Sequence, residues 1–138
     1  MQLRLHRLLA VFATALAISF VAARTAEAAD PPKGQLAAYV WAESARAPGT
    51  YTPSARYQFN MTNGINTVTR SGPGVYQVKL ADLKLSGGHG QVTAYGNGPD
   101  YCKIVSWSPS GADTVVTVAC FAPNGTPFDT QFALAFFT

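Results

Sequence analysis

Cys102 and Cys120 are the only cysteines in the chain, and a turn cluster, Ser108-Pro109-Ser110-Gly111-Ala112-Asp113, lies midway between them. The flanking runs, Tyr101–Trp107 and Thr114–Phe121, alternate in character and read as two strands of a hairpin. Centring that hairpin on Gly111 makes Cys102 face Cys120, Ile104 face Val118, Ser106 face Val116 and Trp107 face Val115. Directly opposed residues at a non-hydrogen-bonded site have Cα atoms close enough for a disulfide. The register places Cys102, Ile104, Val116, Val118 and Cys120 on one face, expected to be the core. Tyr101, Lys103, Val105, Trp107, Thr117 and Phe121 then lie on the other. Metal binding by the cysteine pair fails on count, because the one histidine beyond the N-terminal segment, His89, raises the ligand set only to three without carboxylates.

Residues 36–137 continue in the same manner. Short alternating runs are separated by Gly, Pro, Asn and Ser clusters, and the strand candidates are 36–43, 55–61, 65–70, 75–80, 91–95, 101–107, 114–121 and 131–137. The closest approach to a helical period, Ala81-Asp82-Leu83-Lys84-Leu85, is too short to stand as a helix. Tyr76, Val78 and Leu80 share one side of their strand, with Gln77 and Lys79 on the other. Tyr57, Phe59 and Met61 oppose Arg56, Gln58 and Asn60 in the same way. Ser71-Gly72-Pro73-Gly74 is a turn that joins 65–70 to 75–80 as a hairpin. Phe132, Leu134 and Phe136 alternate with Ala133, Ala135 and Phe137, so the last strand is apolar on both faces. A central strand reads this way, and so does one covered by a second subunit, which keeps a homo-oligomer among the expected partners. Eight short strands in about 100 residues point to an all-β antiparallel sandwich of jelly-roll-like type.

The first 28 residues carry a different signal. Arg4 and Arg7 precede an uncharged run from Leu8 to Ala23, and Ala26-Glu27-Ala28 fits the small-x-small rule for cleavage before Ala29. The run is shorter than the roughly 20 residues a bilayer span needs, and Arg24 closes it. We therefore expect a signal peptide over 1–28, a short tether over 29–34 and a single β-sandwich domain over 35–138, secreted to the periplasm or the extracellular space. An oxidising compartment is also where a disulfide belongs. Arg4, Arg7, Arg24 and Glu27 would leave with the signal, so ten bases and seven acids become seven and six. The remaining bases are scattered singly from Lys33 to Lys103, with no basic patch for nucleic acid.

Residues able to carry chemistry are sparse. His89 lies among glycines (Gly87-Gly88-His89-Gly90), a setting that holds an imidazole poorly for proton transfer. Glu43, Asp82, Asp100, Asp113 and Asp129 fall one per segment, and the four aspartates sit near turn signals that favour local hydrogen bonding to backbone. No glycine-rich stretch opens a helix, as phosphate cradles require. We expect no catalytic residue, no cofactor and no metal.

Aromatic side chains are the remaining lead. Tyr39 and Trp41 share one face of the first strand, opposite Leu36, Ala38, Val40 and Ala42. The hairpin register puts Tyr101 and Trp107 off the core face, with Tyr95 nearby in sequence. Such platforms bind sugar rings or protein partners by stacking and burial. The alternative is that a sandwich buries some of them in its second layer. Tyr39, Trp41, Tyr101 and Trp107 are thus the candidate binding residues.

From Tyr39 onward the chain resembles a module of secreted bacterial proteins that occurs alone or in tandem. The matching strings include Ala38-Tyr39-Val40-Trp41-Ala42, Tyr51-Thr52-Pro53, Asn66-Thr67-Val68-Thr69-Arg70-Ser71-Gly72 and Gln91-Val92-Thr93-Ala94-Tyr95-Gly96, then Cys102 to Trp107 and Cys120-Phe121. The ending, from Asn124-Gly125 through Asp129 to Phe136, is similar to phage tail-fibre tips and complement-like jelly rolls. That resemblance implies a binding module without catalytic residues and supplies no functional residue to carry over. The expectation is a secreted, non-catalytic module that binds protein or carbohydrate. A small hydrolase using paired carboxylates, or an inhibitor presenting the loop 45–53, are the alternatives.

Overall fold

The computed structural model describes residues 34–138, so the expected signal and nearly all of the tether lie outside the described residues. Nine strands follow in order: β1 (Leu36–Ala42), β2 (Thr50–Tyr51), β3 (Gln58–Asn60), β4 (Thr67–Gly72), β5 (Val75–Leu80), β6 (His89–Tyr95), β7 (Tyr101–Ser110), β8 (Asp113–Phe121) and β9 (Gln131–Phe137). They form two antiparallel sheets, β3-β1-β9-β6 and β2-β4-β5-β8-β7, which makes the domain an all-β sandwich. The neighbour order β4-β5-β8-β7 over β6-β9-β1 is the Greek-key order of an immunoglobulin constant-type sandwich, with its final strand's place taken by the first strand here. Leu36 pairs with Phe137, so the two ends of the domain meet inside one sheet.

Alternation explains the core. Val40 and Ala42 of β1, Phe132, Leu134 and Phe136 of β9, Tyr76, Val78 and Leu80 of β5, and Val116, Val118 and Cys120 of β8 are all buried, and they fill the space between the sheets. The Tyr76 and Phe132 rings meet across it at 5.1 Å. The last strand is central in its sheet, hydrogen-bonded to β1 on one side and β6 on the other, with Phe132, Leu134 and Phe136 in the core and Ala133 and Ala135 on its outer face.

The β7–β8 hairpin carries the expected disulfide, with Cys102 opposite Cys120 and their Cα atoms 4.0 Å apart. Ile104 also faces Val118 as the register requires. Beyond that point the register slips by one: Ser106 faces Thr117 and Trp107 faces Val116. The turn is shorter than the six-residue cluster suggested. Ser110 pairs with Asp113, leaving Gly111 and Ala112 as a two-residue loop in which Gly111 takes φ 64°. A positive φ at the first loop residue is the tight hairpin geometry that matches strand twist. The extra residue this introduces is absorbed as a bulge at Val105, which turns Trp107 onto the face shared with Val116.

The segment 55–61 also departs from expectation. Ala55–Tyr57 is a single 3-10 turn, the strand is only Gln58–Asn60, and its buried side chain is Asn60 rather than Phe59. The reason is a polar knot. The Asn60 amide donates to Asn66 Oδ1 and to the Ala81 carbonyl, both at 2.8 Å, while its oxygen accepts from the Thr62 N–H and hydroxyl. The Asn66 amide donates in turn to the Phe59 carbonyl. Satisfying these groups places the asparagine inward and leaves Tyr57 and Phe59 on the surface.

Candidate functional site

The outer face of the four-stranded sheet gathers most of the exposed aromatic surface. Two residue rows cross it, Phe59–Tyr39–Ala135–Gln91 and Trp41–Ala133–Thr93. Because β9 contributes only alanines here, its centre sinks below the flanking side chains and forms a groove of about 690 Å³. Tyr39, Trp41, Tyr57 and Arg56 stand on one side, with Gln91 and Thr93 on the other. The two walls are two strand spacings apart, roughly 10 Å, the width of one extended chain rather than a globular surface.

The aromatic wall is ordered by its own contacts. Tyr39 and Phe59 lie side by side at 5.8 Å with planes 21° apart, and they are 38% and 41% exposed. Trp41 is half-buried between Tyr57 at 4.4 Å and Tyr95 at 4.7 Å. Its contact with Tyr95 joins β1 to β6 across β9. The Trp41 indole N–H is buried with no hydrogen-bond partner among the described residues, a position that costs about 1–3 kcal/mol.

The four candidate aromatics do not form one platform. Tyr39 and Trp41 line the groove. Tyr101 is on the outer face of the other sheet, stacked on Phe121 at 5.3 Å, with the Lys103 ammonium over the same Phe121 ring. Trp107 is 39% exposed but, turned by the bulge, meets Phe136 edge-on at 5.4 Å at the rim of the sandwich. The contribution of Arg56, Tyr57 and Phe59 was hidden because the sequence places Tyr57 and Phe59 in a longer strand with their faces reversed. The pairing of Trp41 with Tyr57 could be found only from the tertiary packing.

A second depression, of about 670 Å³, lies beyond Tyr95 and brings Glu43 and Asp129 to a common wall. Asp129 is fully engaged there. Its Oδ1 accepts from Arg70 Nε, the Gly74 N–H and the Tyr76 hydroxyl, and its Oδ2 accepts from Arg70 Nη2 at 2.8 Å. The Arg70 guanidinium hydrogen-bonded to it is the main cause that holds the Asp129 carboxyl down at about 2. Burial and the neighbouring Asp129 push the Tyr76 phenol well above its ordinary range. Glu43 uses Oε1 to accept from the Ser54 N–H, and its Oε2 is buried with no partner among the described residues. Burial likewise raises the Tyr51 phenol, which accepts from the Ser44 N–H, to about 12.

The other acids and the histidine are dispersed. Asp113 accepts from the Asp82 N–H and pairs with Lys79, and Asp100 precedes β7. His89 is the exposed first residue of β6, paired with Phe137. Among the described residues no three metal-ligating side chains converge, and no helix is long and apolar enough to cross a membrane. The chain matches no protein-family model, no curated protein and no solved structure.

Proposed function

We propose that this chain is a secreted, non-catalytic binding module, and that its ligand lies in the groove on the outer face of the β3-β1-β9-β6 sheet. The observation that carries this is the asymmetry of the two outer faces. One presents Tyr39, Tyr57, Phe59 and Tyr95 about an alanine floor, while the other is polar across its middle, with Gln77, Lys79, Thr117 and Thr69, and carries its aromatic pair, Tyr101 on Phe121, at the far end of the β7–β8 hairpin. An apolar surface of this kind, left in water, forgoes burial and marks a contact surface. A narrow channel walled by ring faces and by amide and hydroxyl groups suits carbohydrate, since sugar rings stack on aromatics and offer hydroxyls to Gln91 and Thr93. Export is supported by the charged-then-apolar N-terminal pattern and by the disulfide, which suits an oxidising compartment.

The alternatives find weaker footing. A hydrolase needs carboxylates free to exchange protons, and Asp129 is saturated by four donors. An inhibitor needs a protruding loop, whereas 45–53 is pinned at Ala45 and Pro53, both buried, and by β2 pairing with β4. The test is retention on insoluble and immobilised polysaccharides by affinity electrophoresis, comparing the native chain with Tyr39→Ala. Retention lost in Tyr39→Ala with an unchanged melting temperature supports the groove. Retention that survives Tyr39→Ala and Tyr57→Ala together rules the groove out.

A further inference from the structure

We propose that the groove selects a glycan bearing anionic groups, with Arg56 as the residue that reads the charge; this rests on the groove being the binding surface. Among the residues that line it, Arg56 is the only ionisable side chain other than tyrosine phenols, and no carboxylate stands opposite it. The ion pairs among the described residues are Arg70 with Asp129 and Lys79 with Asp113, so the Arg56 guanidinium is not engaged with a carboxylate. It sits in the 3-10 turn immediately before Tyr57, whose ring is packed edge-on against Trp41. The turn thereby places a cationic side chain beside the ring wall.

An exposed arginine on a polar surface is ordinary. One on the rim of an acid-free aromatic groove is different in consequence, because a ligand chain held by stacking is brought within reach of a guanidinium for which no lining carboxylate competes. A guanidinium presents paired N–H donors that match a carboxylate or a sulfate oxygen pair, and charge-assisted contacts of this kind are about twice as strong as neutral ones. Gln91 and Thr93 on the opposite wall are neutral, so they serve the hydroxyls of any sugar and add no repulsion against an acidic one. Uronate carboxylates and sulfate esters share this chemistry.

The experiment measures affinity electrophoresis of the native chain, Arg56→Gln, Lys84→Gln and Tyr39→Ala in polygalacturonate, in its methyl ester and in dextran sulfate. Lys84 lies outside the groove and controls for loss of one positive charge. The expected result is retention by polygalacturonate or by dextran sulfate, weaker retention by the methyl ester, and about tenfold loss for Arg56→Gln with Lys84→Gln unchanged. Retention by polygalacturonate assigns a uronate, and retention by dextran sulfate alone assigns a sulfate ester. Equal binding of polygalacturonate and its methyl ester, unaffected by Arg56→Gln yet lost in Tyr39→Ala, overturns the charge selection and leaves the groove as a neutral-sugar surface. Equal losses in Arg56→Gln and Lys84→Gln overturn it too, as a net-charge effect. Failure of all three polymers to retain the native chain overturns both the selection and the carbohydrate groove.

Discussion

Replacing Asp129 with Asn removes one charge and exchanges one oxygen for an amide, leaving the shape of the side chain intact. In the native domain Oδ1 accepts from Arg70 Nε at 3.0 Å, the Gly74 N–H at 2.8 Å and the Tyr76 hydroxyl at 3.0 Å. An asparagine oxygen can keep those three contacts. Its NH2 must then face Arg70 Nη2, which now donates to Oδ2, so a donor meets a donor. Losing one charge-assisted bond and creating that conflict costs about 2 kcal/mol. The carboxyl's acidity leads to the same magnitude. A carboxyl held at about 2 against roughly 3.9 in an unfolded chain corresponds to at most about 2.5 kcal/mol. Asp129 and Arg70 are 16% and 28% exposed, and solvent screening lowers this to about 1–2 kcal/mol.

The sign of the pH dependence follows. A carboxyl whose pKa is depressed on folding contributes its stability above the unfolded value and loses it as pH falls through the folded one. Asp129→Asn should therefore melt roughly 4–10 °C below the native domain at pH 7. The gap should narrow from about pH 4 and close near pH 2, as the native carboxyl is protonated. Calorimetry or circular dichroism melts of both proteins across that range give the answer. A pH 7 difference within about 2 °C, or a gap that does not narrow on acidification, would refute the four-donor account of Asp129.

Three further outcomes are expected. Cys102→Ala with Cys120→Ala should lower stability by about 3 kcal/mol in denaturant melts while circular dichroism still shows β structure, since the bridge spans 18 positions and the pairing register remains. Asn66→Ala should cost about 2–3 kcal/mol, because it strips a fully buried partner from the Asn60 amide and exposes the Phe59 carbonyl to an unmade bond; a melting temperature equal to the native one would show the knot to be dispensable. Ala135→Phe, on the floor of the groove between Tyr39 and Gln91, should abolish glycan retention without lowering the melting temperature by more than a few degrees, and undiminished retention would place the ligand elsewhere.

Much of this architecture can be read from residue alternation alone. Period-two patterning assigns Tyr76, Val78 and Leu80 to the core, marks β9 as a central strand apolar on both faces and, with the turn cluster, pairs Cys102 with Cys120. These features depend on contacts between near neighbours or on one face being apolar, and both leave a direct trace in the chain. Three other features do not. A bulge at Val105 depends on whether the β7–β8 turn closes with two residues or six, and one slip there moves Trp107 to the opposite face. The inward position of Asn60 depends on partners at Asn66 and Ala81, which no local pattern announces. The groove itself depends on sheet order. Ala133 and Ala135 form a floor only because β9 sits between β1 and β6, and Arg56 joins the aromatic wall only because a 3-10 turn replaces the first half of a strand. Local pattern determined which residues alternate and which face of most strands is apolar; long-range pairing decided which exposed side chains became neighbours, because neighbours across a sheet are chosen by hydrogen-bonded register and not by proximity in sequence.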